Sequence, residues 1–170
     1  MLPLQGMGQG SQPIISYNYG ARKVDRVKKA FWLLLKANCC YSTLLWAFVM
    51  LLPRLFASLF TSDAALIDFT VPALRTYLAV LFIFGVQMAC QMTFVSIGNA
   101  LMSAIAAIVR KFVLLLPLIY LMPHLFPGSK TFAVYLAEPV TDMLAVTFTA
   151  ITFYFTFRKA LAQLERPAAK

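Results

Sequence analysis

The sequence has few of the residues that enzyme and metal sites require. It contains one histidine, three cysteines and six acidic residues among 170. The histidine, His124, lies between two prolines near a chain connection, so no cluster of metal ligands is expected around it. No combination of Ser, His and Asp or of Cys and His suggests nucleophilic catalysis. These shortages argue against an enzyme, a bound metal and an organic cofactor.

The three cysteines do not predict a disulfide framework. Cys39, Cys40 and Cys90 all lie within apolar runs. The adjacent pair cannot form a disulfide of ordinary geometry without strain. We therefore expect all three to be small buried apolar residues.

Charge is also scarce, and apolar residues are abundant. Only 12% of the residues are charged, 61% are hydrophobic and the mean hydropathy is +0.78, which is typical of a membrane protein. The net charge of +9 comes from short basic clusters between apolar runs, as in proteins that cross the bilayer several times. No basic stripe is present, so nucleic acid is not expected as a partner. Because the first basic cluster follows the first apolar segment, no cleaved signal peptide is expected.

Four segments are long enough to cross the hydrocarbon core, which takes about 20 apolar residues in a helix. They are residues 31–52, 71–97, 101–122 and 132–157. The preceding stretch, residues 1–19, contains Gln5, Gln9 and Asn18 and is too polar to face lipid on all sides. Its Gly6 and Gly10 have the spacing that lets two helices approach closely. The fold class predicted is an all-α, polytopic membrane helix bundle with four full transmembrane helices and a partial N-terminal one.

The basic clusters predict the orientation of the chain. Residues 22–29 carry five basic residues against Asp25, and residues 157–170 carry four against Glu165. Both regions are therefore expected in the cytoplasm, which agrees with four crossings between them. The connections at 53–72 and around Pro127 become the outer loops. We predict a bundle over residues 1–157 and a cytoplasmic tail over 158–170.

Three of the charged residues inside the predicted spans need partners, because an Arg or Asp at a helix centre costs about 2.5 to 3.5 kcal/mol. Arg110 in the third span and Asp142 in the fourth are expected at about the same depth, 14 to 15 Å from opposite surfaces. Glu138 shares a helix face with Asp142, and Pro139 frees a backbone carbonyl beside them. An Arg110–Asp142 pair is thus expected, with Glu138 facing a hydrated cavity. Two interpretations stay open: a static ion pair that fixes helix packing, or a carboxylate that exchanges a proton or cation during transport.

The second predicted span carries a polar stripe. Gln87 and Gln91 are four residues apart and hence on one helix face. Such a stripe suits either hydrogen bonds between helices or the wall of a substrate cavity.

Four stretches resemble one family when they are taken in order. They are GMGQGSQPIISYNYGARKVDRVKKA, PRLFASLFTSD, SIGNALMSAIAAIVRKFVLLLPLIYLMP and LAEPVTDMLAV. Together they resemble the multidrug and toxic compound extrusion (MATE) transporters along nearly the whole chain. One departure is the turn NALMSA, which has no lysine where the family usually carries lysines; Arg110 and Lys111 are expected to substitute in part.

The resemblance implies a twelve-helix fold of two six-helix lobes, of which this chain is the later part of the eighth helix through the twelfth. It implies export of cationic or amphipathic organic compounds in exchange for sodium ions or protons, in a bacterial inner membrane. The first lobe of the same transporter then becomes a partner, beside the lipid bilayer. The structural motif positions of the family fall on Pro13, Gly20, Pro117 and Pro139 of this sequence. The candidate ion or substrate cavity residues are Arg110, Glu138, Asp142, Gln87, Gln91, Gln5, Gln9 and Asn18.

Two other functions stay open. A lipid or oligosaccharide flippase of the same superfamily shares the fold, but its cavity would carry more cationic residues for phosphate groups. A small structural or regulatory membrane subunit is the alternative of another class.

Overall fold

Residues 2–165, which the computed structural model describes, are almost entirely helical and contain no strand. Eight α-helices follow one another: α1 (Leu2–Gly20), α2 (Val24–Leu51), α3 (Pro53–Ser58), α4 (Ala64–Tyr77), α5 (Phe84–Ser96), α6 (Ala100–Ile108), α7 (Leu116–Leu125) and α8 (Lys130–Glu165). Short 3-10 turns lie at Leu81–Ile83 and Pro127–Ser129, and a π-helical segment, Val109–Leu115, joins α6 to α7. The predicted all-α membrane bundle is confirmed.

Within residues 2–165, three helices are long and apolar enough to cross a membrane: α2, the continuous helix Ala100–Leu125, and α8. A fourth span consists of two pieces, Ala64–Tyr77 and Leu81–Ser96, which meet at a bend of 47°. The span predicted at 71–97 is therefore present but broken, and its first bound is wrong. Its helix begins at Ala64, inside the predicted outer loop, where the Asp63 side chain accepts hydrogen bonds from the backbone of Ala65 and Leu66.

The break in this fourth span is stabilised by side chains of α2. Trp46 donates its indole N–H to the carbonyl oxygen of Ala79 at 2.8 Å, and the Ser42 hydroxyl donates to that of Phe82 at 2.9 Å. A carbonyl freed by a helix break in lipid needs such a donor, because no water is available. Gly85 lies directly after the break and packs against the backbone of Asn38.

The core lies where α1, α2, α5 and α8 pack together. Phe153 of α8 stacks on Phe31 of α2 with ring centroids 4.7 Å apart and meets the edge of Phe94 of α5 at 5.2 Å. Ala160 and Leu161 belong to the same cluster, and α8 continues without a break through residue 157. The end of the predicted tail, residues 166–170, lies outside the described residues.

The connection between α1 and α2 has a single left-handed residue. Gly20 is the last residue of α1, and the positive φ, 56°, falls on Arg22. The cysteines are free, but only Cys90 is buried, whereas Cys39 is half-buried and Cys40 exposed. The expectation of three buried cysteines is therefore wrong for Cys40, since its face of α2 points outward.

The predicted orientation is testable by labelling. Single cysteines at Arg26 and Gln163, in a chain whose native cysteines are replaced by alanine, are expected to react from the cytoplasmic side only. A cysteine at Ser129 is expected to react from the outside. Labelling of Arg26→Cys and Gln163→Cys from opposite sides with a membrane-impermeant maleimide would contradict the positive-inside argument.

Candidate functional site

The candidate site is one buried guanidinium held by two carboxylates. Arg110 donates its Nε–H to Oδ1 of Asp142 at 2.7 Å, and its Nη2 lies 2.6 Å from the same oxygen. The same Nη2 donates to Oε1 of Glu138 at 3.0 Å. The three side chains are only 12% to 16% exposed. The expected Arg110–Asp142 pair is present. Glu138 was expected to face a hydrated cavity without a partner, but it also binds Arg110.

Local helix geometry brings these groups together. Glu138 and Asp142 lie one turn apart on α8, so both carboxylates point to the same side. Arg110 lies in the π-helical segment Val109–Leu115, which ends two residues before Pro117. Proline has no N–H to donate to the carbonyl four residues earlier, and the wider turn takes up this irregularity. Wide turns of this kind occur frequently at functional sites.

An aromatic ring from the broken span also contacts the guanidinium. The guanidinium carbon of Arg110 lies 5.1 Å from the ring centroid of Phe84, within range of a cation–π interaction. Phe84 is the first residue of α5, so its position depends on the break before it. Composition gives no signal for this contact, because Phe84 is one of 15 phenylalanines.

Two tyrosines lie beside the cluster, one on α4 and one on α8. Tyr77 is the last residue of α4, and Tyr135 lies one turn before Glu138 on α8, so it shares a side of that helix with the carboxylate. Tyr77 and Tyr135 line a cavity of about 290 Å³ with Phe69 and residues of α4. A neighbouring cavity of about 440 Å³ shares Phe69 and Tyr135. Sequence reasoning missed both tyrosines.

The other predicted cavity residues lie apart from this cluster. Gln5 and Gln9 are exposed on α1, Gln91 is half-buried, and Asn18 is buried with its amide nitrogen 2.8 Å from the carbonyl oxygen of Ile14. Gln87 is 1% exposed. Among the described residues, no hydrogen bond joins any of these five to Arg110, Glu138 or Asp142. The roles assigned to them stay predictions.

The four proline and glycine positions are distributed over the bundle. Pro13 lies inside α1 and Pro139 is buried inside α8. Pro117 is the second residue of α7, which follows the π-helical segment directly. Arg110 is turned into the site, so it does not supply charge to the lysine-free turn at residues 98–104.

No group of three or more His, Cys, Asp or Glu side chains within residues 2–165 has the arrangement of a metal site. The acidic residues of the cluster instead bind a cation that the protein supplies, the Arg110 guanidinium.

A family model described as MatE matches residues 1–121. The chain belongs to the MatE family. Its fold is that of solved transporters of the same family. The structure of the MATE multidrug transporter DinF-BH in complex with R6G is 31% identical, with a TM-score of 0.81 over 91% of this chain and 34% of that one.

Two further solved MatE structures have different conformations. An inward-facing multidrug resistance MATE transporter of the MOP superfamily is 24% identical, with a TM-score of 0.81 over 99% of this chain and 38% of that one. An outward-facing MATE transporter of the same superfamily is 25% identical, with a TM-score of 0.80 over 97% of this chain and 36% of that one. The chain thus spans about a third of the length of these transporters. A search of the curated proteins finds no match.

Proposed function

We propose that this MatE chain forms most of the second lobe of a multidrug exporter of a bacterial inner membrane. Arg110, Glu138 and Asp142 belong to the wall of its transport cavity. The exporter moves cationic or amphipathic organic compounds outward in exchange for sodium ions or protons. The observation that carries the proposal is the buried cluster of one guanidinium and two carboxylates.

The charge of the cluster favours a cationic ligand. Two carboxylates face one guanidinium, so the cluster carries one net negative charge when all three groups are ionised. Inside a membrane such a charge interacts strongly with a cation, because little water screens it. A proton, a sodium ion or a monovalent organic cation would each neutralise this single negative charge.

The cavities beside the cluster suit an amphipathic molecule. Phe69, Tyr77 and Tyr135 provide flat apolar surfaces, and aromatic faces attract organic cations. The negative charge and the rings are adjacent because Tyr135 lies one turn before Glu138 on α8 and lines the same cavity as Tyr77. An aromatic organic cation can therefore contact both kinds of surface at once.

The two conformations among the related structures support a rocking movement. The chain superposes on the inward-facing and the outward-facing transporter with TM-scores of 0.81 and 0.80. This region thus matches its counterpart about equally well in both states, which agrees with rigid-body rocking of lobes.

The charge balance argues against the flippase alternative. A phosphate-bearing substrate needs an excess of cationic side chains at its site. Here two carboxylates face one guanidinium, and the two lysines inside the predicted spans, Lys36 and Lys111, are exposed. A separate structural subunit finds no support in the match to transporters.

The proposal predicts an effect of Asp142→Asn on transport. In a full-length transporter that contains this sequence, the substitution is expected to remove most of the resistance to a cationic dye in an efflux-deficient host. It keeps the shape of the side chain but removes the negative charge. The measurement is the minimal inhibitory concentration at matched expression.

Asp68→Asn is the matched control. Asp68 pairs with Arg54 at 2.6 Å, but the side chains are 63% and 76% exposed, and exposed pairs contribute little. Normal resistance is expected for this variant. Normal resistance in Asp142→Asn as well would make the cluster a static packing element and remove it from transport.

A further inference from the structure

One face of α2 combines lipid-facing residues with a lysine deep in the span. Trp32, Leu33 and Leu44 are 57%, 71% and 65% exposed, and Cys40 is exposed between them. In a membrane, an exposed apolar face of this kind contacts lipid. Lys36 lies on the same face and is also exposed.

The depth of Lys36 makes it different from the other basic residues near the α1–α2 connection. It follows Lys29 by seven residues, so their Cα atoms are about 10 Å apart along the helix axis. A lysine at this depth extends its ammonium group toward the headgroup region. The direction is toward Lys28 and Lys29, because the cytoplasmic end of α2 is the nearer one.

A surface groove connects Lys36 with the two lysines nearer the start of α2, Lys28 and Lys29. Lys28, Lys29, Trp32, Leu33 and Lys36 line a surface cavity of about 590 Å³ together with Asp25. Three lysines against one aspartate leave the groove with a net charge of +2. Among the described residues, none of the three lysines forms an ion pair.

We propose that this groove binds one anionic phospholipid of the cytoplasmic leaflet. Its phosphate lies between the ammonium groups of Lys29 and Lys36, and an acyl chain follows Leu33 and Leu44. Trp32 lies at headgroup level, where tryptophan is enriched in membrane proteins. The occupant is a lipid because the groove continues into an apolar, lipid-facing surface, which a free anion does not use.

The test uses the tryptophan within the groove. The chain has two tryptophans, and Trp46→Phe leaves Trp32 as the only one. In bilayers of phosphatidylcholine with a small fraction of brominated phosphatidylglycerol, quenching of Trp32 is expected to exceed that by brominated phosphatidylcholine. The expected preference is about fivefold in apparent affinity, as for one lysine near an anionic surface.

Lys36→Gln is expected to reduce the preference to within about twofold, since it removes the deep charge. Lys130→Gln is the matched control, because Lys130 is an exposed lysine at the other end of the bundle. It should leave the preference unchanged. Equal quenching by both lipids, or an unchanged preference in Lys36→Gln, would overturn the proposal.

A second measurement guards against a folding defect of the Trp46→Phe chain. Native mass spectrometry of the chain with both tryptophans should show phosphatidylglycerol adducts that Lys36→Gln loses and Lys130→Gln keeps. Millimolar inorganic phosphate should not displace them. Displacement by phosphate alone would show that the groove binds a soluble anion instead.

Discussion

Replacing Arg110 by Gln is expected to destabilise the chain by about 3 to 5 kcal/mol, the range for removal of one partner from a buried ion pair. The variant leaves Glu138 and Asp142 without their cation, at side-chain exposures of 13% and 12%. It also removes the group that joins α8 to the π-helical segment. The measurement is the free energy of unfolding in mixed micelles.

The controls separate the loss of the pair from the loss of packing. Arg54→Gln removes an exposed cation and should change the stability by less than about 1 kcal/mol. The triple variant Arg110→Met, Glu138→Gln, Asp142→Asn removes all three charges and should recover most of the loss. If Arg110→Gln is as stable as Arg54→Gln, the cluster does not stabilise the bundle.

Replacing Gly85 by Leu is expected to lower the free energy of unfolding by about 3 kcal/mol, the upper part of the range for overpacking. A Cβ at Gly85 would lie 2.6 Å from the backbone oxygen of Asn38 and 2.7 Å from Oγ of Ser42. The nearest atoms belong to the backbone of α2, which cannot change conformation to make room as a flexible side chain can. The helices must separate, and the Ser42 hydrogen bond to Phe82 is expected to weaken.

Gly6→Leu is the matched control on stability. No atom lies within 4 Å of a Cβ at Gly6, so this variant should be neutral, or more stable by up to about 1 kcal/mol from helix propensity. Circular dichroism and chemical unfolding compare the two. Similar stability of Gly85→Leu and Gly6→Leu would show that α2 and α5 are not closely packed at Gly85.

Gly6 and Gly10 show one limit of reasoning from spacing. Their four-residue separation predicts a close helix contact, yet a Cβ at either position meets no described atom within 4 Å. The close approaches fall instead on Gly8, against the Met92 side chain, and on Gly85. The pattern indicates a surface of small residues but does not say which partner covers it.

The ion pair was predictable because helix geometry fixes depth. Counting residues from the ends of the spans places Arg110 and Asp142 at the same height, since each residue adds 1.5 Å. The separation of Glu138 and Asp142 by one turn follows from the same periodicity. That Arg110 binds both carboxylates was not predictable, because this depends on the rotation of two helices about their axes.

The broken span was hidden from the sequence for a different reason. Residues 78–80 contain neither proline nor glycine, the usual local signals of a break. The groups that stabilise the break, Trp46 and Ser42, come from another helix. Phe84 and Tyr77, which flank the break, therefore had no signal as site residues either.

The bend of 47° means that one wall of the cluster is assembled from two separate arms. Tyr77 is carried by the arm Ala64–Tyr77 and Phe84 by the arm Leu81–Ser96, while the ion pairs are formed by other helices. A change in the angle between the arms therefore alters the gap between the two rings without requiring the charges to separate. Access to the carboxylates between the two rings can thus be widened or narrowed while their guanidinium partner stays in place.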